Sequence, residues 1–498
     1  MTPTPFLALL LLPWIWRDPS WALALAIVSC AFGATAAAHL GSGSPLLLSV
    51  VAMLPVMWHA WAPRLRGWLV PAGRVAAPSA SPAAGADRTL LALLVWAGLL
   101  TVFAPRLLAG TTEVIAIVSM GLRNATRLVP LAPQAGNFNQ LAYLVFGGLC
   151  FMAVARLLRQ GVQLRQVADA LLLVSAVNLL AALLQGLHLY AGAPNLLAPF
   201  ANAGYAIHLG GEVGGLNRLS GAFPESSAFA VFTLALHAVC RALARGGHRP
   251  ALSATLAVGL LMALLLSTSS TAFGGLALLY ALYAASAGVR LLQAPRELRL
   301  GRGALLALLA ACAVVAALLL WPPLLDGVVR MVQTTLWTKL DSASGQERSF
   351  WNRQAWLAFT DTWGLGVGVG STRASSYPLV LLSNLGVIGT LLFVGFVAQT
   401  GGRALVAPRP PAACAAAAHG MLALLCAATV SASVLDLGVL FYLLAGVTTR
   451  VVLAPAFAPA WRPGGSVRPA WGAGRPRDGT PGGRWDPIGP GAGVHHGR

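Results

Sequence analysis

The sequence predicts an all-α polytopic membrane protein, a bundle of about twelve transmembrane helices. The chain of 498 residues is 57% hydrophobic and only 9% charged, whereas a soluble domain carries about 25% charged residues. Its mean hydropathy is +0.74. Runs such as 251–266 and 305–320 are apolar around the whole helix, which suits lipid or the interior of a bundle within lipid.

Apolar runs long enough to span a bilayer recur along the chain, since a spanning helix needs about 20 apolar residues. The predicted spans lie near 20–40, 43–62, 90–109, 138–157, 168–190, 223–243, 250–268, 271–290, 303–322, 377–399, 410–432 and 436–454. The segment 5–16 is a thirteenth candidate. We interpret it as a retained short or interfacial helix, because no basic stretch precedes it as in a signal peptide.

The arginines predict the orientation of the bundle. Counted along these spans, five loops that carry half of the chain's arginines all emerge on one side, and the positive-inside rule makes that side cytoplasmic. These arginines are Arg64, Arg66, Arg74, Arg88, Arg156, Arg159, Arg165, Arg241, Arg245, Arg249, Arg290, Arg296, Arg299, Arg302, Arg403 and Arg409. The net charge of +19 therefore indicates topology, and nucleic acid is not an expected partner.

The opposite, extracytoplasmic face has a different content. It carries the longest loop, near 323–376, and most of the acidic residues. Those on or beside it are Glu113, Glu212, Glu225, Asp326, Asp341, Glu347, Asp361 and Asp436. The six cysteines lie inside apolar segments without metal-binding spacing, so neither a metal site nor a cofactor is expected. This asymmetry predicts that any chemistry takes place outside.

The chain divides into six predicted regions. Residues 71–88 are rich in Pro, Ala and Gly, as in a flexible loop, and the tail is rich in Pro, Gly and Arg, as in disordered segments. The regions are N-terminal transmembrane helices (1–62), a cytoplasmic loop (63–89), a transmembrane core (90–322), an extracytoplasmic loop (323–376), C-terminal transmembrane helices (377–455) and a disordered cytoplasmic tail (456–498).

Two polar clusters flank apolar runs on this outer face. In the segment 217–227, Gly221 and Pro224 precede a predicted helix. Its free N–H groups beside Arg218 suit an anion, although a capped helix start explains the same residues. The hydroxyl-rich segment 267–271 favours a tight turn or contacts between helices.

The extracytoplasmic loop contains the third cluster. The spacing of Trp351, Ala355, Trp356 and Phe359 predicts an amphipathic helix on the membrane surface. A stretch with glycine at alternate positions follows, and its accessible N–H groups suit an anion cradle. The cradle residues are Gly366, Gly368, Gly370 and Ser371. The spacing matches neither a Rossmann nor a Walker site.

Taken together, these motifs resemble the O-antigen ligase and polymerase superfamily of bacterial inner-membrane proteins. The resemblance covers roughly 140–455. It rests on Arg348, Trp351, Phe359, the stretch 364–371 and Ser383-Asn384-Leu385-Gly386-Val387-Ile388-Gly389, on an Arg-x-Ser-Gly-x-Phe motif within 218–229, and on the Ser/Thr-rich turn within 267–275.

The resemblance implies a glycosyltransferase with a membrane-embedded C-type (GT-C-like) fold. Such enzymes transfer a glycan from a polyprenyl-pyrophosphate carrier to an acceptor hydroxyl on the periplasmic face, without a metal. The expected partners are therefore the lipid-linked oligosaccharide, the lipid bilayer and other polysaccharide assembly or export proteins. Arginines bind the pyrophosphate in this family, and the matching candidates are Arg218, Arg348, Arg353 and Arg373.

The base that activates the acceptor is less defined by the motifs. Ligases of the superfamily often use a histidine before the helix that follows the glycine stretch, but this chain has Arg373-Ala374-Ser375-Ser376-Tyr377 there. This difference favours an exopolysaccharide or O-antigen polymerase, with Glu225 or Glu347 as base. The alternatives are ligation to lipid A-core, a flippase or transporter for lipid-linked glycans, and a structural subunit of an export complex.

Overall fold

The computed structural model describes residues 18–40, 44–69, 84–120, 123–203, 212–213, 216–293 and 343–451. This part of the chain is mostly helical, with three short antiparallel hairpins. The helices are α1 (Pro19–Ser29), α2 (Leu48–Leu69), α3 (Ala84–Leu107), α4 (Ala135–Arg159), α5 (Leu164–Ala191), α6 (Ser226–Arg245), α7 (Pro250–Leu266), α8 (Ser270–Gln293), α9 (Ala343–Asp361), α10 (Tyr377–Val397), α11 (Ala412–Ser431) and α12 (Val439–Thr448).

Seven helices are long and apolar enough to cross a membrane within these described ranges. They are α3, α4, α5, α6, α8, α11 and α10, the last extended by a π turn (Ala398–Gly402) and a final turn (Arg403–Val406). Helices α1, α2, α7 and α12 contain shorter apolar stretches. The prediction of a membrane-spanning helical bundle is confirmed at this level. The expected span 303–322, the segment 5–16 and the tail 456–498 lie outside the described residues.

The bundle has two chemically different ends. At one end, which we call the arginine-rich end, Asp169 contacts His248 and Arg249 at 2.9 and 2.8 Å, and Asp87 faces Arg159 at 3.9 Å. The first contacts join the start of α5 to the α6–α7 turn. The last one joins the start of α3 to the C-terminal end of α4. The loops that bear Arg159 and Arg249 therefore lie at one end, as the sequence predicts.

The other end, which we call the hairpin end, contains the three hairpins and helix α9. The hairpins pair β1 (Ala36–Leu40) with β2 (Ser44–Leu47), β3 (Glu113–Met120) with β4 (Arg123–Pro130), and β5 (Glu212–Val213) with β6 (Leu216–Asn217). Thr112 donates to Asp361 at 2.7 Å, and the Ile115 amide donates to Thr372 Oγ1 at 3.2 Å. The β3–β4 hairpin is thereby attached to α9 and to the segment before α10.

The first two predicted spans were wrong in their boundaries. Instead of a helix over 20–40, α1 ends at Ser29 and the chain continues into the β1–β2 hairpin. Contacts from elsewhere hold this segment: the Ala34 amide donates to the Ala222 carbonyl at 2.9 Å, and Thr35 Oγ1 donates to the Phe200 carbonyl at 2.6 Å. The segment can leave the helix because these groups replace helical hydrogen bonds.

Helix α9 confirms the helix predicted around Trp351 to Phe359, but its buried face packs on protein. Gln354, Ala355 and Ala358 are buried. The Gln354 side chain donates to the Glu113 carbonyl at 2.7 Å, and Asn352 accepts from the Ser375 amide at 2.7 Å. The helix is therefore fixed against the β3–β4 hairpin and the segment that leads into α10.

Candidate functional site

The turn before α6 is held in place by one buried side chain of α5. Gln185 Oε1 accepts from the amides of Ser220 and Gly221, both at 2.7 Å, and Gln185 Nε2 donates to Ser220 Oγ at 2.9 Å. Gly221 has φ of 54°, a conformation that favours glycine. The turn directs the next residues, Pro224 and Glu225, towards the interior of the hairpin end.

Beyond this turn lies a cavity of about 680 Å³, a size typical of small-molecule sites. Its walls are mostly apolar and come from α4, α6, α11 and α12 together with β2. The polar groups at its surface include Gln140, Ser227, Ser431 and Ser433. Two carboxyl groups, those of Glu225 and Asp436, also line it. An apolar pocket with a few convergent polar groups has the general make-up of a binding site.

Asp436 is the most perturbed acid described outside the apolar helices. It lies in the α11–α12 connection, where Tyr377 donates to the neighbouring Leu435 carbonyl at 3.0 Å. The residue as a whole is half-buried. Its Oδ1 is buried and has no hydrogen-bond partner. Burial raises the pKa of Asp436 to about 7, and a hydrogen bond with the Gly438 backbone opposes the shift.

Arg218 lies within electrostatic range of a carboxylate and of a second arginine. Burial lowers the pKa of Arg218, nearby Glu225 raises it, and nearby Arg348 lowers it again. The Arg218 Nε is buried without a hydrogen-bond partner. The structure thus brings together Arg218, Glu225 and Arg348, which are far apart in the sequence. Ser227 donates a hydrogen bond to Glu225 Oε1.

The remaining sequence-predicted candidates are placed differently. Glu347 is exposed near the start of α9 and is not one of the residues that line the cavity. Arg353 is exposed on the same helix, about 140° around the axis from Arg348 at five residues' separation. Arg373 is half-buried in the segment before α10, and burial lowers its pKa.

The glycine-rich stretch has a structural role in this conformation. The Gly366 amide donates to Thr362 Oγ1 at 3.2 Å, the Gly368 amide to the Asn384 carbonyl at 3.1 Å, and the Gly370 amide to Asn384 Oδ1 at 3.0 Å. Ser371 Oγ donates to the Val367 carbonyl at 2.8 Å. Because these donors are already engaged, the geometry favours attachment to α10 over the expected anion cradle.

The Ser/Thr-rich segment connects α7 to α8 at the same end. Ser267 Oγ donates to the Leu264 carbonyl at 2.6 Å. The hydroxyls of Thr268, Ser269 and Thr271 are buried without a hydrogen-bond partner, and Thr268 has φ of 47°. The segment forms the tight turn that the sequence favours. The structure gives no physical reason for its unpaired hydroxyls.

Asp436 is the site residue that the sequence did not single out. It appeared there only as one of the acids of the outer face.

A group of three or more His, Cys, Asp and Glu side chains able to hold a metal does not occur within the described residues. No known protein family and no curated protein matches the chain. The cavity, its two carboxyls and the neighbouring arginines are the features of the described chain that point to a function.

Proposed function

We propose that this chain is a membrane glycosyltransferase that polymerises polyprenyl-pyrophosphate-linked oligosaccharides at the hairpin end of the bundle. The observation that carries the proposal is the cavity at that end, which Glu225 and Asp436 both line, with Arg218 close enough to Glu225 and to Arg348 to interact electrostatically with each. The positive-inside rule assigns the opposite end to the cytoplasm. The cavity is then on the periplasmic side of a bacterial inner membrane.

The two arginines suit the leaving group of this reaction. They lie close enough for Arg348 to act on the charge of Arg218. Within the described part of the chain, neither forms an ion pair of 4.0 Å or less. A pyrophosphate between them would offset their repulsion and accept hydrogen bonds from both guanidinium groups. It would also stabilise the negative charge that develops as the sugar–phosphate bond breaks.

Asp436 suits the role of general base better than the acids predicted from the sequence. A base works best when its pKa is near the operating pH, and the pKa of Asp436 is about 7. In the proposed step, an acceptor hydroxyl attacks the anomeric carbon of the donor and its proton goes to the Asp436 carboxylate. The bond between the anomeric carbon and the pyrophosphate oxygen breaks, and its electron pair goes to that oxygen. The carrier pyrophosphate, held between Arg218 and Arg348, is the leaving group.

The walls of the cavity fit the rest of such a donor. Phe146, Phe223 and Phe232 line it together with aliphatic residues, and such surfaces suit a prenyl chain or the apolar face of a sugar. Glu225, hydrogen-bonded to Ser227, is then available to bind sugar hydroxyls. The Arg373–Tyr377 segment lacks the histidine found in many ligases, which favours polymerisation over ligation to lipid A-core.

Arginine variants test this assignment in proteoliposomes supplied with a polyprenyl-pyrophosphate oligosaccharide. We expect Arg218→Ala and Arg348→Ala each to reduce glycan transfer about a hundredfold, since one such contact contributes about 3 kcal/mol to the transition state. Arg409→Ala is the matched control, because Arg409 is exposed between α10 and α11 at the arginine-rich end. Equal activity of all three variants would overturn the assignment of the pyrophosphate site.

A further inference from the structure

A second group of charged and aromatic side chains lies at the arginine-rich end, away from the cavity. The Arg241 guanidinium carbon of α6 is 4.0 Å from the ring centroid of Tyr283 and 5.4 Å from that of Tyr280, both on α8. These distances are within the range of cation–π contacts. The Tyr280 hydroxyl in turn contacts His237 Nε2 at 2.8 Å. The aromatic rings thus hold the Arg241 side chain in place.

Further basic groups converge on the same place from three helices. The Tyr283 hydroxyl contacts His419 Nδ1 of α11 at 3.1 Å. Arg245 follows Arg241 by four residues and so lies on the same face of α6. Arg241, Arg245 and Arg290 of α8 are all close enough to act electrostatically on His419. We call Arg241, Arg245, Arg290, Tyr283 and His419 the basic cluster.

The acids that the structure describes at this end are engaged elsewhere. Among the described residues, Asp87 faces Arg159, Asp169 pairs with His248 and Arg249, and Asp18 accepts from the Ser20 amide at the start of α1. No arginine of the basic cluster forms an ion pair of 4.0 Å or less within this part of the chain. Three like charges are therefore gathered without a protein counter-charge there.

We propose that the basic cluster binds the phosphate of an anionic phospholipid headgroup in the leaflet at the arginine-rich end. Guanidinium groups form charge-assisted, forked hydrogen bonds with phosphate oxygens, and the Tyr283 hydroxyl can add another. Arg245 ends α6, and Arg241 lies about 6 Å deeper at 1.5 Å per residue. This depth matches the interface where lipid phosphates meet basic side chains, which favours lipid over a soluble phosphate.

Native mass spectrometry of the full chain in detergent can test the proposal with phosphatidylglycerol as probe and phosphatidylcholine as neutral reference. We expect Arg241→Gln and Arg245→Gln to weaken phosphatidylglycerol binding about tenfold, the effect of losing one charge-assisted hydrogen bond. Arg409→Gln, with the same charge change at the same end, should alter it less than about twofold. Arg245 is exposed, so its variant keeps the test informative if Arg241→Gln does not fold.

Two results would overturn the proposal. If Arg409→Gln weakened phosphatidylglycerol binding as much as the cluster variants, the attraction would be general surface charge. If inorganic phosphate alone bound with the same dependence on Arg241 and Arg245 and displaced phosphatidylglycerol, the ligand would be a soluble phosphate. Glycan transfer at the hairpin end is a separate readout, so neither result bears on the proposed glycosyltransferase activity.

Discussion

At the scale of single residues, Asp436 combines access to the cavity with a pKa of about 7. If it is the base, glycan transfer by the wild type should rise about tenfold per pH unit below pH 7 and level off above it, because only the carboxylate accepts a proton. Asp436→Asn should lower transfer at pH 8 by about a hundredfold or more and remove this rise. A wild-type rate that does not change between pH 5 and pH 8 would contradict the role.

The same carboxyl predicts a pH-dependent stability. Its folded-state pKa is raised above the ordinary value of 3.8, so the folded protein binds more protons than the unfolded chain between about pH 4 and pH 7. This contribution to stability is complete below pH 4 and is lost as pH rises through 7. In the wild type, the loss of unfolding free energy over this pH range is on the order of 4 kcal/mol at most. The thermal midpoint of the wild type in detergent should therefore fall as pH rises, and that of Asp436→Asn should not fall for this reason. Parallel midpoint–pH curves for the two proteins would show that the Asp436 carboxyl is not buried.

Residue types predicted some parts of the site and not others. Glu225 stood out because acids are rare in this chain, and Arg218 and Arg348 stood out because they lie in motifs of the outer face; the structure places Glu225 and Arg348 near Arg218. Asp436 did not stand out, because its environment is made by residues such as Tyr377 and Gln140 that are distant in sequence. The amides of Gly368 and Gly370 were predicted to be free because their partner, Asn384, belongs to the next helix.

At the scale of elements, α10 is interrupted at Gly386, which has φ of 64° and ψ of −168°. A Cβ there would collide with the Leu365 carbonyl. We expect Gly386→Ala to destabilise the protein by about 2–4 kcal/mol, from the strained backbone and the overpacked contact. The matched control is Gly98→Ala in α3, where a Cβ would meet no atom within 4 Å and alanine is the better helix former. A thermal midpoint of Gly386→Ala equal to that of Gly98→Ala would show that the break in α10 does not require glycine.

The long apolar runs predicted most of the described helices, since a run of some twenty apolar residues has few other folds in lipid. The hairpins could not be predicted in the same way. The run Gly41-Ser42-Gly43-Ser44-Pro45 marks a turn in residues 36–47, but the few apolar residues on either side of it do not by themselves separate a strand pair from helix ends. Contacts with Ala222, Phe200 and Asn202 decide that segment, and they come from residues more than 150 positions away.

For the whole molecule, glycan transfer on the periplasmic side requires the two ends of the bundle to face opposite sides of the membrane. Ser349 at the hairpin end and Arg409 at the arginine-rich end are both exposed. In intact cells, a membrane-impermeant thiol reagent should label Ser349→Cys but not Arg409→Cys. The described native cysteines are buried, so their background labelling should be low. If only Arg409→Cys were labelled, the orientation would be the reverse of the one predicted, with the arginine-rich end outside.

Glycan transfer by the purified wild-type protein is the direct test of the proposed polymerisation of lipid-linked oligosaccharides. The measurement supplies proteoliposomes with a polyprenyl-pyrophosphate oligosaccharide and resolves the products by mass. A polymerase predicts a ladder of products, each longer by one repeat unit, with release of one carrier pyrophosphate for each new glycosidic bond. A single addition to supplied lipid A-core would instead show a ligase. Movement of the carrier across the bilayer without any new glycosidic bond would contradict the glycosyltransferase account and favour a flippase.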